Sequence, residues 1–230
     1  MRKTIGILLF LVVIASGCLD TKAAWPAIVA DNVLNEEGWS AAGVPQMQSQ
    51  TQTVAGVKFR INLASMNYRD DGLAVNISNQ VQEFTQLTPG EASSASKFTS
   101  QLITVRLVLP AGISLPSELM NQITASKIEQ MASQNNIKDF HETNSTKTTL
   151  SGGKEIELKN YEGLIDFEGV TIKVKGMLAS WPDKGSDIIV LGVLPAEDIV
   201  ITPASGNPET IKINSGEESR KMIRLIQNVK

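Results

Sequence analysis

The chain is poor in the residues from which many functional sites are built. Its 230 residues include one cysteine, Cys18, and one histidine, His141. A lone cysteine excludes an internal disulfide framework and any zinc site needing two thiolates; a lone histidine excludes multi-histidine metal sites. Basic charge is also short, with 21 Lys+Arg against 24 Asp+Glu and a net charge of -3. Binding nucleic acid requires a basic patch to neutralise phosphates, so no nucleic-acid partner is expected. Phosphate-binding loops, dinucleotide glycine fingerprints and calcium-loop spacings are missing from the sequence. No cofactor and no metal are therefore expected. What remains, 42% hydrophobic and 20% charged, has the balance of a folded globular domain.

The first positive signal is at the start. Arg2 and Lys3 precede an apolar run from Ile5 to Ile14 interrupted only by Gly6. A basic start followed by a short apolar stretch is the layout of a secretory signal. The run is too short to span a bilayer, which needs ~20 apolar residues. Small residues follow, Ala15-Ser16-Gly17, and then the single cysteine. Small side chains at this point let the backbone enter a peptidase cleft.

Ala15-Ser16-Gly17-Cys18 resembles the lipobox of prokaryotic lipoproteins. The resemblance implies cleavage after Gly17 and lipidation of Cys18, which becomes the mature N-terminus. Ala15 departs from the usual leucine at its position. The alternative is a signal peptide cut elsewhere, or left uncut, with Cys18 incidental. With a lipobox the chain divides into a helical signal peptide (1–17), a lipid-anchored tether (18–24) and one extracytoplasmic domain (25–230). Cleavage removes two basic residues and leaves a net charge of -5. Such a surface has no attraction for anionic headgroups, so the lipid on Cys18 must do the holding.

The domain reads as α+β, a mainly antiparallel sheet with packed helices. Trp25 to Trp39 is expected to be a short helix, with Pro26 in its first turn and Gly38 as a left-handed stop. Residues 40–53, rich in Gln and Ser, are expected to be a loop or irregular edge. Thr53 to Met66 alternates like a half-buried strand, and Tyr68 to Gln80 is expected to pair with it across Asp70-Asp71-Gly72. Thr88 to Ser96 reads as a loop, Leu102 to Leu109 as an apolar strand, and Ser117 to Ser133 as a helix. Gly152 to Leu194 reads as an antiparallel meander with turns at Asp166–Gly169 and Pro182–Ser186. Ser215 and Glu218 have capping-box spacing. Met222, Leu225, Ile226 and Val229 line one face of the helix that follows, with Arg220, Lys221 and Arg224 expected to face water.

Two further resemblances carry no motif for an activity. The segment Trp25 to Trp39, following a Gly-Cys pair, looks like the opening of uncharacterised archaeal lipoproteins. The element order, together with Leu178-Ala-Ser-Trp181 and Ile189-Val-Leu-Gly192, is similar to the PsbP-like α/β/α sandwich. Docking on a protein partner at the cell surface is what that second resemblance implies. Fold alone does not fix function.

The candidate chemistry is sparse. His141, flanked by Asp139 and Glu142, is expected between a helix and a strand as a surface residue. A Ser-His-Asp arrangement needs only one histidine, but no nucleophile elbow is present. The carboxylate pairs Glu36-Glu37 and Glu217-Glu218 read as solvated charge at helix ends, and Asp70-Asp71 as part of a turn. Asn76-Ile-Ser and Asn144-Ser-Thr match the glycosylation sequon. Trp25, Trp39 and Trp181 read as packing residues before they read as a ligand platform. The leading expectation is a non-enzymatic, membrane-anchored interaction domain. A small-ligand-binding lipoprotein comes next, and a hydrolase built on His141 third.

Overall fold

The structure, a computed structural model, describes residues 22–54, 57–84, 90, 98–110, 123–126, 128–129, 132–133, 136–167, 170–202 and 207–230. Gly17, Cys18 and the expected loop at 88–96, apart from Gly90, lie outside these residues.

Among the described residues, three helices and ten strands follow one another. They are α1 (Asp31–Glu37), β1 (Trp39–Ala41), β2 (Gln46–Val54), β3 (Val57–Asp70), α2 (Asp71–Glu83), β4 (Gln101–Val108), β5 (Ile137–Thr149), β6 (Glu155–Phe167), β7 (Val170–Asp183), β8 (Ser186–Pro195), β9 (Ile199–Ile201), β10 (Glu209–Ile211) and α3 (Ser215–Gln227). The described parts of 123–133 are helical as well, as expected. Eight strands form one sheet in the order β1-β3-β4-β8-β7-β6-β5, with β2 beside β1 along the outer edge of β3. Every pairing in it is antiparallel. The α+β expectation is thus met.

Alternation along the strands sends two sets of apolar side chains to opposite faces. One set, including Ile61, Leu63, Val105, Ile172, Val174 and Ile189, is covered by α2, the 123–133 helical stretch and the β9–β10 hairpin. The other, including Leu102, Leu158, Ala179, Trp181, Ile188 and Val190, is covered by α1 and α3. The central strands β4 and β8 are buried on both faces, which is why they read as nearly unbroken apolar runs. Gly192 lets α3 approach closely: a Cβ there would lie 2.4 Å from the sulfur of Met222. Among the described residues no helix is long and apolar enough to cross a membrane.

Several expectations need correction. Residues after Asp70 form a helix and not a hairpin strand, because Asp70 caps it through Leu73 N–H (2.7 Å). Leu73, Ile77 and Val81 then recur at helical spacing and are buried. Residues 40–53 contain β1 and β2. These strands are separated by a bulge in which Ala42 to Pro45 stands opposite only Met66 and Asn67. The helix expected from Pro26 starts only at Asp31. Residues 25–30 instead run extended, because tertiary partners take their backbone groups. Tyr68 Oη accepts from Val29 N–H (3.0 Å), and Thr104 Oγ1 donates to the Ala27 carbonyl. Ile28 pairs with Lys230 through both backbone groups. Gly38 does close α1 in the left-handed conformation (φ 75). The N-cap of α3 is Asn214, one residue before the expected Ser215. Residues 137–149 form a strand, so His141 lies within β5, and the meander has four strands.

Candidate functional site

Three carboxylates that read as solvated charge or as part of a turn, Glu37, Asp70 and Glu218, are buried instead. Asp70 ends β3 and is fully inaccessible. One oxygen caps α2; the other, Oδ2, has no hydrogen-bond partner among the described residues and lies 3.6 Å from Lys221 Nζ. Glu218, in the first turn of α3, accepts from Lys221 Nζ (2.9 Å) and from the buried hydroxyl of Ser100 (3.2 Å). Two carboxyls and one ammonium thus share a site almost closed to water. Burial pushes the Asp70 carboxyl up to about 7, and the charge of Glu218 adds to this against the Leu73 N–H bond and Lys221. Lys221 is raised: burial opposes its charge, but the bond to Glu218 and the charges of Asp70, Glu218 and Glu217 outweigh it.

A small hollow of about 110 Å³ adjoins this group, lined by Gly72, Asn76, Lys212, Glu217, Glu218 and Lys221. It has room for a few waters. Asp70 does not line it. The cluster therefore acts as a clasp, joining the β3–α2 junction, the start of β4 and α3. A second clasp joins α1 to α3. Glu37, with its side chain only 3% exposed, is held by Arg220 and Arg224, and Arg224 also reaches Glu36. Burial opposes the charge on Glu37, but the two guanidiniums outweigh it and hold its carboxyl below the ordinary range. All three expected water-facing cations of α3 are thus engaged with carboxylates.

A further buried charge is Arg106 on β4, 2% exposed. Its Nη1 donates to Asp183 (2.7 Å) and Ser186 (2.8 Å), and its Cζ lies 4.8 Å from the ring centre of Trp25. Trp39 and Trp181 are buried in the core, as expected of packing residues, whereas Trp25 is half-exposed.

A larger cleft of about 220 Å³ lies between the 123–133 helical stretch and strands β6 and β7, lined by Thr124, Ile128, Lys159, Tyr161, Leu178 and Ser180. The buried hydroxyl of Thr124 has no partner among the described residues. Tyr161 and Lys159 both donate to Glu142 (3.3 and 3.2 Å). Burial, then the Glu142 carboxylate, push the Tyr161 phenol up to about 12. Phe140 stacks on Tyr161 at 5.2 Å, over glycines 163 and 176, where a Cβ would clash with its ring.

The remaining sequence candidates are dispersed. His141 is exposed, with Nδ1 2.7 Å from the Asp139 carbonyl. Among the described residues no serine hydroxyl or carboxylate hydrogen-bonds to it. Asn76 is exposed on α2, where its side-chain oxygen accepts from Gln80. Asn144 is exposed on β5 and accepts from Asn160 (2.8 Å). Among the described residues no group of three or more His, Cys, Asp or Glu side chains is placed to hold a metal.

A two-faced antiparallel sheet with helices on both sides, joined by clusters of buried charge, defines an α+β domain. The chain belongs to the family of the domain of unknown function DUF6517, whose model matches residues 26–230. Among solved structures, it is similar to LpqN, described as involved in cell envelope biogenesis of Mycobacterium tuberculosis. That likeness is at 10% identity over 74% of this chain and 86% of LpqN, with a TM-score of 0.26. Superposition that loose transfers neither site nor activity. No curated protein matches the chain.

Proposed function

We propose that this is a lipid-anchored extracytoplasmic domain that serves a membrane-associated assembly as a non-enzymatic interaction module. The observation that carries the reading is the order of signals before the fold: a basic start, ten mostly apolar residues, then Ala-Ser-Gly and the only thiol. Lys22, four residues after Cys18, already contacts the fold through Asn62, so a lipid on that cysteine holds the domain against the membrane. Two hydrocarbon chains suffice for stable attachment, where one binds only marginally. A PsbP-like mode of docking on a protein partner fits a layered domain held this way. The domain unit is 25–230, and the sequons at Asn76 and Asn144 are modification sites if the host glycosylates exported proteins.

The test is Cys18→Ser in cells, followed by fractionation. The variant is expected to leave the membrane fraction while the unaltered protein stays in it. A variant that remains membrane-bound would remove the thiol anchor from the account. The cleft beside Thr124 favours a second reading, a receptor for a small ligand of mixed polarity. Native mass spectrometry of protein purified from membranes tests it: a bound small molecule lost on Tyr161→Ala supports a receptor, and the mass of the lipid-modified chain alone argues against one.

A further inference from the structure

The path of the chain out of the fold gives the domain a preferred side. The Lys22 carbonyl accepts a hydrogen bond from Asn62 Nδ2 (2.9 Å), and Asn62 also accepts from Ser49 (2.6 Å). Only Leu19, Asp20 and Thr21 separate Lys22 from Cys18, a reach of at most about 14 Å. From Lys22 the chain crosses the face of the sheet that also carries α1 and α3. Trp25 lies over Arg106, Ala27 against Thr104, and Val29 against Tyr68.

Six large apolar side chains are exposed among the described residues, and four fall in this region: Trp25 (43%), Ile28 (48%), Val44 (82%) and Met47 (59%). The other two, Val75 on α2 and Val200 on β9, belong to the opposite layer. Met47 pairs with Ala64, and Ala64 with Arg106. Met47 therefore shares a row with the residue under Trp25, two strands or ~10 Å away. Ser49, the next side chain on the same face of β2, contacts the residue that holds Lys22. Val44 lies in the bulge beside Met66.

We propose that this face rests on the lipid bilayer, with Trp25, Ile28 and Met47 in contact with it and Val44 at the rim. The proposal rests on the anchor reading and deepens it. A tether of about 14 Å admits the membrane surface as the one partner always within reach of this patch. Apolar contact, and not charge, must supply the adhesion, because the cleaved chain is net acidic. Trp25 suits the interface: its ring stacks on a guanidinium already fixed by Asp183 and Ser186, and indoles favour the headgroup level of a bilayer. Trp39 and Trp181 lie 3% and 5% exposed in the core, which leaves Trp25 as the tryptophan that senses the environment.

The full lipid-modified protein is reconstituted into phosphatidylcholine vesicles, with plain acyl chains or with chains brominated close to the headgroup. The Trp25 signal is taken as the difference between unaltered protein and Trp25→Phe. Contact with the bilayer is expected to let brominated chains quench that signal about twofold or more, and to shield it from aqueous acrylamide. Intact mass is measured on the same sample. Lipid on Cys18 with a Trp25 signal blind to bromine and open to acrylamide would overturn the proposed face and leave the anchor standing. An intact mass without lipid would overturn both.

Discussion

The substitution Asp70→Asn separates the charge of the buried clasp from its shape. The new amide oxygen would still accept the Leu73 N–H that starts α2, and its NH2 group would offer Glu218 a donor in place of a second negative charge. In the native protein the carboxyl has its affinity for a proton raised from 3.8 to about 7 by burial and by Glu218. A raised carboxyl means that the folded state holds a proton the unfolded chain has released. Stability from this group is therefore complete below pH ~4, falls as pH rises towards 7, and is level above that. The shift corresponds to at most roughly 4 kcal/mol across the whole window, of which about 3 kcal/mol falls between pH ~4.5 and ~8. Urea unfolding of both proteins between pH ~4.5 and ~8 reads it directly. The difference in unfolding free energy, variant minus native, is expected to move in favour of Asp70→Asn by about 3 kcal/mol from the acid to the alkaline end. Carboxylates remote from Asp70 cancel in that difference, so it reads the coupled Asp70–Glu218 pair alone. Parallel curves at all pH values would show that Asp70 ionises normally and would refute the reasoning.

Other perturbations test the packing and the second clasp. Arg220→Ala together with Arg224→Ala leaves the Glu37 carboxylate without its counter-charges and is expected to lower the urea midpoint in the same assay; adding Glu37→Gln should recover most of the loss. Gly192→Ala places a methyl group against Met222 and is expected to lose about 1–3 kcal/mol, with Met222→Ala in the same chain recovering part of the loss. Gly176→Ala meets the ring of Phe140 at 2.4 Å and should lower the melting temperature, whereas Gly152→Ala, with nothing within 4 Å, should not.

Legibility in the sequence follows burial. Strands with one face in the core show their period, as Val170, Ile172 and Val174 do, and α3 shows its stripe at Met222, Leu225 and Ile226. β2 and β5 are opaque because they lie at the two edges of the sheet. Their exposed polar residues carry no alternation, and they are strands because β3 and β6 offer them hydrogen bonds. α2 escapes local reading because Asp-Asp-Gly suits a turn, whereas here the first Asp is a cap. The extended path of residues 25–30 depends on Tyr68 and Thr104, which no local pattern names. For the same reason the clasp cannot be assembled from sequence: Asp70 and Glu218 stand 148 positions apart, and only the Glu218–Lys221 spacing hints at a pair. The proposed export signal and Cys18 anchor are read from local sequence alone, because such signals need no fold to act.

Mass spectrometry of the N-terminal peptide from the membrane fraction tests the anchor most directly. The expected peptide starts at Cys18 and carries the added mass of two hydrocarbon chains. A peptide that still contains Gly17, or an unmodified Cys18 recovered with soluble protein, would contradict the account.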